Sequence, residues 1–334
     1  MVATPIKVVQ YGLGPIGVAA AKLVLEKKNL RLVGGIDIDP TKVGHDLGDV
    51  LNIPKKLGLV VSDDAEKVLA QTQPDVILHS TTSFLNRVEE QLHACCRAQA
   101  SVVSSCEELF YPFRRDPDFC QRIDELAKKF GVTVMATGVN PGFSMDVLPL
   151  AMTSVCTRVE KVFATRVVDA SKRRLPLQKK IGAGLQPEEF RQLVALGKLG
   201  HVGLLESLHA VADRLGLNLD DIQETIEPKI AGAPVGTPYL EVAAGQVAGI
   251  LHVARGLRRG NEVLKLELQM YVGAANPLDR VCIVGEPPIE LEIAGGIFGD
   301  AATIARMINA VAIVHRANAG FFTALDLPMP FCIQ

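Results

Sequence analysis

The chain contains no tryptophan and only four tyrosines in 334 residues, so any pocket it builds has few aromatic walls. It has no excess of one charge either. Its 35 basic and 37 acidic side chains leave a net charge of −2, and no long basic block stands out, which argues against a nucleic-acid partner. No apolar run approaches the roughly 18 to 20 residues that a bilayer span requires, so no membrane partner is expected. The N-terminus enters a strand pattern directly, without the layout of a secretory signal, and a cytoplasmic location is the default that follows. Cys95, Cys96, Cys106, Cys120, Cys156, Cys282 and Cys332 are scattered and odd in number, with no C-x-x-C spacing and no histidines at ligand intervals. They read as reduced thiols, and no metal is expected. The vicinal pair Cys95-Cys96 falls on a predicted helix, where neighbouring side chains diverge by about 100° and cannot easily share an ion.

What is present is concentrated at the start. The apolar run Ile6 to Tyr11 leads into Gly12-Leu13-Gly14-Pro15-Ile16-Gly17 and an alanine-rich stretch, and a second run, Arg31 to Ile36, ends in Asp37, 20 residues beyond Gly17. Strand, glycine turn, helix, strand and distal acid make the dinucleotide-binding pattern. Gly12 permits the tight turn, Gly14 lets the backbone approach a pyrophosphate with no Cβ in the way, and Gly17 lets the helix pack closely on the strand. The pyrophosphate would rest on free N–H groups of the helix start around Ile16, where Pro15 fits because it has no N–H. Asp37 is placed to bind both ribose hydroxyls of the adenosine half, which favours NAD slightly over NADP. Lys42 could pair with a 2′-phosphate if its loop folds back, and Asp39-Pro40 reads as a turn.

Strand and helix patterns alternate to about residue 143: a short strand near Leu59 to Val61, a strand at Asp75 to His79, a helix from Phe84 to Ala98, and a strand at Ser101 to Ser105. A helix over Asp116 to Phe130 and a strand at Val132 to Met135 complete a Rossmann-type, doubly wound parallel sheet. Beyond Pro149 the pattern changes. Lys161 to Val168 reads as a strand, Gln186 to Leu215 holds two helical stretches, and Gly245 to Val272 reads as two long strands joined at Arg259-Gly260-Asn261. In the second arm Leu264, Leu266, Leu268 and Met270 alternate with polar residues. Short strands follow at Val281 to Val284 and Ile289 to Ile293, giving an α+β unit on a mainly antiparallel sheet. One small domain rarely covers such a sheet alone, so a homodimer is expected. Asp300 to Ala317 is a helix with Asp300 as N-cap and Ile304, Met307, Ile308, Val311 and Ile313 inward. The expected organisation is a dinucleotide-binding domain over 1–143, completed by 303–334, and a substrate and dimerisation domain over 144–302. Pro328 to Gln334 carries too few signals to assign.

Ligands of open α/β sheets bind outside the carboxyl ends of the strands, and three segments meet that edge. His79-Ser80-Thr81-Thr82-Ser83 offers hydroxyls where a nicotinamide ribose would pass, with a helix N-cap at Ser83 as the bland alternative. Asn140-Pro141-Gly142 is a turn that could clamp a nicotinamide carboxamide or be purely structural. Glu107 and Glu108 follow an apolar strand, and one of them, partly desolvated, could act as a general base. Alternating directions would point one toward the cleft and the other away, though a solvated pair is the commoner fate of such a dipeptide.

These motifs together with Ser104-Ser105-Cys106-Glu107-Glu108-Leu109, Gly138-Val139-Asn140-Pro141-Gly142-Phe143, Lys172-Arg173-Arg174, Lys179-Lys180-Ile181-Gly182-Ala183-Gly184, Gly200-His201-Val202-Gly203 and Gly299-Asp300-Ala301-Ala302-Thr303 resemble the 2,4-diaminopentanoate dehydrogenase family. That family includes the native amine dehydrogenases and is related in fold to dihydrodipicolinate reductase. The resemblance implies NAD(P)-dependent, reversible oxidative deamination of an amine to a ketone and ammonia. The family's catalytic glutamate carries over to Glu108, with Glu107 second. Its carboxylate would deprotonate ammonium and steady a cationic iminium. Phe143, Met145, His201 and Thr303 are the expected pocket residues, with a helix cap as the alternative for His201. Lys172, Arg173, Arg174, Lys179 and Lys180 either anchor a substrate carboxylate or form a solvated face, so a diamino acid and a simple alkyl amine both stand. Two other functions fit the same fold. A dihydrodipicolinate reductase-like enzyme would need a basic substrate motif with a catalytic His and Lys, of which there is no convincing version. A non-catalytic NAD(H) sensor would leave the glutamates expendable.

Overall fold

The computed structural model describes residues 4–332, and these divide into two units. One runs up to Gly142 and resumes at Gly299; the other is Phe143–Phe298. The first rests on short strands that are apolar on both faces: β1 (Ile6–Tyr11), β2 (Leu30–Ile36), β3 (Val76–His79), β4 (Ser101–Ser104) and β5 (Thr133–Ala136). Val8, Val9, Ile77, Leu78, Val102, Val103 and Val134 are wholly buried, as strands covered by helices on either side require. A further strand, Gly320–Thr323, joins at the edge, and the spatial order is Gly320–Thr323, β5, β4, β3, β1, β2, all parallel. This is the expected doubly wound sheet. Its strand order reverses between β1 and β3, the point at which such sheets bind ligands.

The helices of this unit are α1 (Pro15–Glu26), α2 (Leu47–Val50), α3 (Ala65–Thr72), α4 (Glu89–Arg97) and α5 (Pro117–Phe130). In α1 the buried residues Gly17, Ala20, Ala21 and Val24 recur at helical spacing and make one inward stripe. At the start of α5 Asp116 accepts the Phe119 N–H at 2.9 Å, and Gly131 closes its end at φ +70°. The helix Gly299–Val314 packs on α1 and on β3, β4 and β5. It begins at Gly299, so Asp300 lies within the first turn and is not the N-cap. Ile304, Met307, Ile308 and Val311 are buried as expected, with Val314 buried in place of the half-buried Ile313.

Three local expectations need correction. Leu59 to Val61 is no strand: it is held by isolated bridges, Asp46 with Val60 and Ile36 with Ser62, and Val60 is 62% exposed. Phe84 to Ala98 is a 3-10 turn, Leu85–Arg87, followed by α4. Ser83 is therefore not an N-cap. The strand Gly320–Thr323 escaped notice because four residues directly behind a helix carry no readable period.

The second unit contains α6 (Val147–Thr153), β6 (Arg158–Asp169), α7 (Leu175–Lys180), α8 (Pro187–Ala195), α9 (Leu204–Arg214), β7 (Asp221–Ile230), the short pair β8 (Val235–Gly236) and β9 (Glu241–Val242), β10 (Val247–Arg258), β11 (Asn261–Tyr271), β12 (Leu278–Glu286) and β13 (Ile289–Ala294). Its large sheet runs β13-β12-β6-β11-β10-β7, antiparallel throughout except between β6 and β11. Arg259 and Gly260, at φ +52° and +73°, make the tight turn between β10 and β11 where it was expected. Leu204, Leu208 and Val211 of α9 meet Leu264, Leu266 and Leu268 in one apolar core. The opposite face carries Phe163, Val167, Leu278 and Cys282, all half-exposed, beside Lys265, Glu267 and Arg280.

One buried ion pair sits beneath this sheet. Arg166 reaches Asp279 at 2.5 Å and the Ile297 carbonyl at 2.6 Å, while Asp279 accepts the Ile297 N–H at 2.7 Å. Both side chains are 3% exposed. Removing one partner strands the other charge, so Arg166→Leu should cost about 3 to 5 kcal/mol in urea denaturation. A loss below about 1 kcal/mol would mean that water reaches the pair.

Candidate active site

The turn after β1 is shaped by contacts that leave no room for side chains. A Cβ on Gly17 would stand 1.8 Å from the Gly12 carbonyl oxygen, and one on Gly12, at φ +88°, 2.4 Å from the Ser80 carbonyl oxygen. A Cβ on Gly14 would meet nothing within 4 Å. The turn is held from below by Gln10, whose Nε2 donates to the carbonyl oxygens of Gly12 (2.9 Å) and Leu78 (3.0 Å) and to Ser80 Oγ (2.9 Å). Gln10 was missed in the sequence, although a glutamine amid Ile6-Lys7-Val8-Val9-Gln10-Tyr11 announces a buried polar group that needs partners. Helix α1 opens with Gly14 at the cap and Pro15 in the first turn, and no side chain caps it. Its N–H groups and positive dipole end therefore have no intramolecular side-chain acceptor.

At the end of β2 Asp37 accepts the N–H of Leu13 at 2.6 Å and of Asp39 at 2.8 Å. The Asp39-Pro40 turn does fold the loop back, and Lys42 lies 3.4 Å from Asp37 and 3.2 Å from Asp39. Hydrogen bonds from Thr41 lower the Asp39 carboxyl to about 2. Ile38, between the two acids, is 84% exposed.

The hydroxyls after β3 turn inward. Ser80 Oγ donates to the Gly12 carbonyl at 3.1 Å, and Thr81 Oγ1 donates to Gln91 Oε1 at 2.7 Å. Thr82 Oγ1 accepts the Phe84 N–H at 3.4 Å. After β4, Glu108 Oε2 accepts the Leu85 N–H at 2.7 Å and Oε1 lies 3.4 Å from Arg115. Its carboxylate thus satisfies the start of the Leu85–Arg87 turn and lines an open cavity of about 410 Å³ with Phe84, Asn86, Asp116 and Phe119. Glu107, the neighbour on the same segment, is half-buried. Burial pushes the Cys106 thiol beside them up to about 12, which removes it as a nucleophile.

After β5 the chain folds tightly. Asn140-Pro141 is cis, Gly142 stands at φ +121°, and the Val139 N–H donates to Thr303 Oγ1 at 3.2 Å. Thr303 thus serves this loop. Two buried acceptors here, Asn140 Oδ1 and Thr137 Oγ1, have no hydrogen-bond partner, a state that a native protein leaves to a ligand or water.

In the second unit, Met145 is 1% exposed and packs with Val162, Leu204 and Leu208. It is core and not pocket wall. Phe143 is half-buried, and His201 precedes α9 in a half-buried loop. Of the basic residues, Lys172, Lys179 and Lys180 are exposed, whereas Arg173 is buried with its guanidinium 5.3 Å from the Phe298 ring centre.

A parallel sheet with its glycine turn at the strand-order reversal defines the class: a Rossmann-type dinucleotide-binding protein with an appended α+β domain. Residues 6–136 match the model of the dihydrodipicolinate reductase N-terminus, and residues 143–334 match that of the 2,4-diaminopentanoate dehydrogenase C-terminal domain. A 2,4-diaminopentanoate dehydrogenase of Acetoanaerobium sticklandii is 32% identical, covering 98% of this chain and 95% of its own length. An amine dehydrogenase of Streptomyces virginiae is 26% identical, with 97% and 96% covered. The solved structure of an amine dehydrogenase from Mycobacterium smegmatis superposes with a TM-score of 0.86 at 28% identity, covering 98% of this chain and 97% of its own. The chain belongs to the 2,4-diaminopentanoate dehydrogenase family.

Because nothing lies within 4 Å of a Cβ on Gly14, Gly14→Ala should fold with a melting temperature within about 2 °C of the parent. It should nevertheless weaken NADH binding roughly tenfold or more in a fluorescence titration, since the methyl group would occupy the path of the pyrophosphate. Unchanged affinity would place the pyrophosphate elsewhere.

Proposed function

We propose that this chain is an NAD(P)-dependent amine dehydrogenase. The observation that carries the reading is family membership along nearly the whole chain, and the empty space above Gly14 and the unpartnered acceptors of Thr137 and Asn140 support it. The reaction is R₂CH–NH₃⁺ + NAD(P)⁺ + H₂O ⇌ R₂C=O + NH₄⁺ + NAD(P)H + H⁺. The bound cofactor supplies the hydride acceptor. Gly12, Gly14, Pro15, Ile16 and Gly17 would hold its pyrophosphate on the helix start. Asp37 would take the adenosine ribose, and Asn140 Oδ1 would accept the carboxamide N–H. The hydroxyls of Ser80 and Thr81 already have intramolecular partners, so their contribution would be to fix the loop that Thr82 shares.

The chemistry on the protein side is proton movement. A carboxylate must deprotonate the ammonium group before hydride can leave its carbon, and later guide the proton of the water that adds to the iminium. We assign this to Glu108, which lines the open cavity with its Oε2 on the Leu85 N–H and its Oε1 3.4 Å from Arg115, with Glu107 of the same segment as the second choice. Phe143 and His201 remain candidates for contact with substrate. Only Arg173 and Arg174 of the basic set are sheltered enough to read a substrate carboxylate. NAD is the favoured cofactor because of Asp37, and Lys42 offers a 2′-phosphate a partner within its loop.

Initial rates of NADH and NADPH oxidation in ammonium buffer at alkaline pH, with short ketones, aldehydes and 2-amino-4-oxopentanoate, test the reading. Ammonia-dependent oxidation is expected, faster with NADH. Glu108→Gln should lower kcat by roughly 10² or more with cofactor affinity kept, and Glu107→Gln should leave kcat within about threefold. The opposite pattern would move the base to Glu107, and silence across the panel would favour the sensor.

The half-exposed face of the second sheet, with Phe163, Val167, Leu278 and Cys282 among alternating charges, supports a two-fold interface between copies. The seven free thiols fit a reducing cytoplasm. Light scattering should give twice the 35.9 kDa of one chain, and Phe163→Asp should halve it. A monomeric parent would refute the interface.

A further inference from the structure

At the carboxyl edge of the first sheet a wholly buried imidazole joins segments that the proposed chemistry uses separately. His79 ends β3, and its Nε2 lies 2.7 Å from Gln91 Oε1 on α4, while Nδ1 lies 2.9 Å from Ser104 Oγ at the end of β4. Gln91 Oε1 also accepts the Thr81 hydroxyl at 2.7 Å, and Ser104 Oγ accepts the Cys106 N–H at 3.1 Å. An amide oxygen can only accept, so Nε2 must carry the proton and Nδ1 must be the acceptor. That fixes every other direction. Cys106 N–H points to Ser104 Oγ, Ser104 O–H to Nδ1, and both Nε2–H and Thr81 O–H to Gln91, with Thr81 Oγ1 itself 3.2 Å from Nε2 as a second, longer acceptor for the ring proton. Burial lowers the imidazole to about 4, so it remains neutral at neutral pH, and the Tyr11 ring packs against it edge to face with centroids 5.5 Å apart.

We infer that His79 is a positioning residue for the amine dehydrogenase reaction: its single neutral tautomer holds the loop of Thr81 and Thr82 in register with the Cys106-Glu107-Glu108 segment. The inference rests on the function proposed above. The network has two arms, and they reach different steps. Ser104 aims the acid-bearing segment by its first amide. Gln91 fixes the loop proposed to flank the cofactor. Misplacing a proton-transfer group lowers turnover, whereas loosening a binding loop weakens affinity.

The test cuts each arm. Ser104→Ala should lower kcat roughly tenfold, as loss of one oriented hydrogen bond predicts, with the KM for NADH within about twofold. Ser104→Thr, which keeps the hydroxyl, should restore kcat. Gln91→Leu should raise the KM and Kd for NADH roughly tenfold while kcat at saturation changes by less than about threefold. In the unaltered protein, ¹⁵N NMR of the His79 ring at neutral pH should show a pyrrole-type Nε2 and a pyridine-type Nδ1. The inference is overturned if kcat and KM move together in both variants in step with melting temperature, or if the proton is found on Nδ1. Should the variants fail to fold, the wild-type ring spectrum decides alone. If the parent itself shows no ammonia-dependent turnover, the functional reading fails, yet the ring spectrum and NADH affinity of Gln91→Leu against Ser104→Ala still read the network.

Discussion

The first unit depends on the approach of α1 to β1 at a distance only glycine allows. With 1.8 Å between a Gly17 Cβ and the Gly12 carbonyl oxygen, any side chain at Gly17 would push the helix off its strand. The N–H groups of the helix start would then no longer face the strand-order reversal. Everything near the turn serves that geometry: Gln10 and Ser80 bind the Gly12 carbonyl from beneath, and Asp37 binds the Leu13 N–H from β2. The Gly12 carbonyl and the Leu13 N–H are thus buried with partners, whereas Gln10 Oε1 has none. The apolar strands on either side keep them dry.

The same economy explains how much of the site could be read in the sequence. The glycine spacing, the β2 acid and the apolar strands were legible because each rests on backbone sterics or periodicity. The directions of Ser80, Thr81 and Glu108 were not. Short polar side chains at a strand end can face a ligand or the neighbouring loop with equal local propensity, and tertiary partners decide. Here Gln10 and Gln91, distant in sequence, draw two hydroxyls inward, and the Leu85 N–H draws in Glu108. The candidate cofactor contacts left open to a ligand, Gly14 and Asn140, are those whose surroundings provide no partner.

The second unit repeats the lesson in β structure. The alternation in β11 was plain because Leu264, Leu266 and Leu268 have one face in the core. The edge strand β7, largely exposed, hid behind its polar composition, and Met145 passed for pocket lining because a sequence does not say which apolar residue reaches the core. Arg166, an unremarkable basic residue in the sequence, proves to hold Asp279 and the Ile297 backbone together.

The central claim is that hydride moves between a nicotinamide and a carbon that bears nitrogen. The most direct test incubates the protein with a short ketone, ¹⁵N-ammonium and NADH deuterated at C4 on either face, and analyses the product by mass spectrometry. The account predicts an amine that carries ¹⁵N and, from one of the two labelled faces, a single deuterium on the same carbon. A deuterated alcohol free of ¹⁵N, or unlabelled ketone beside cofactor-bound protein, would contradict it.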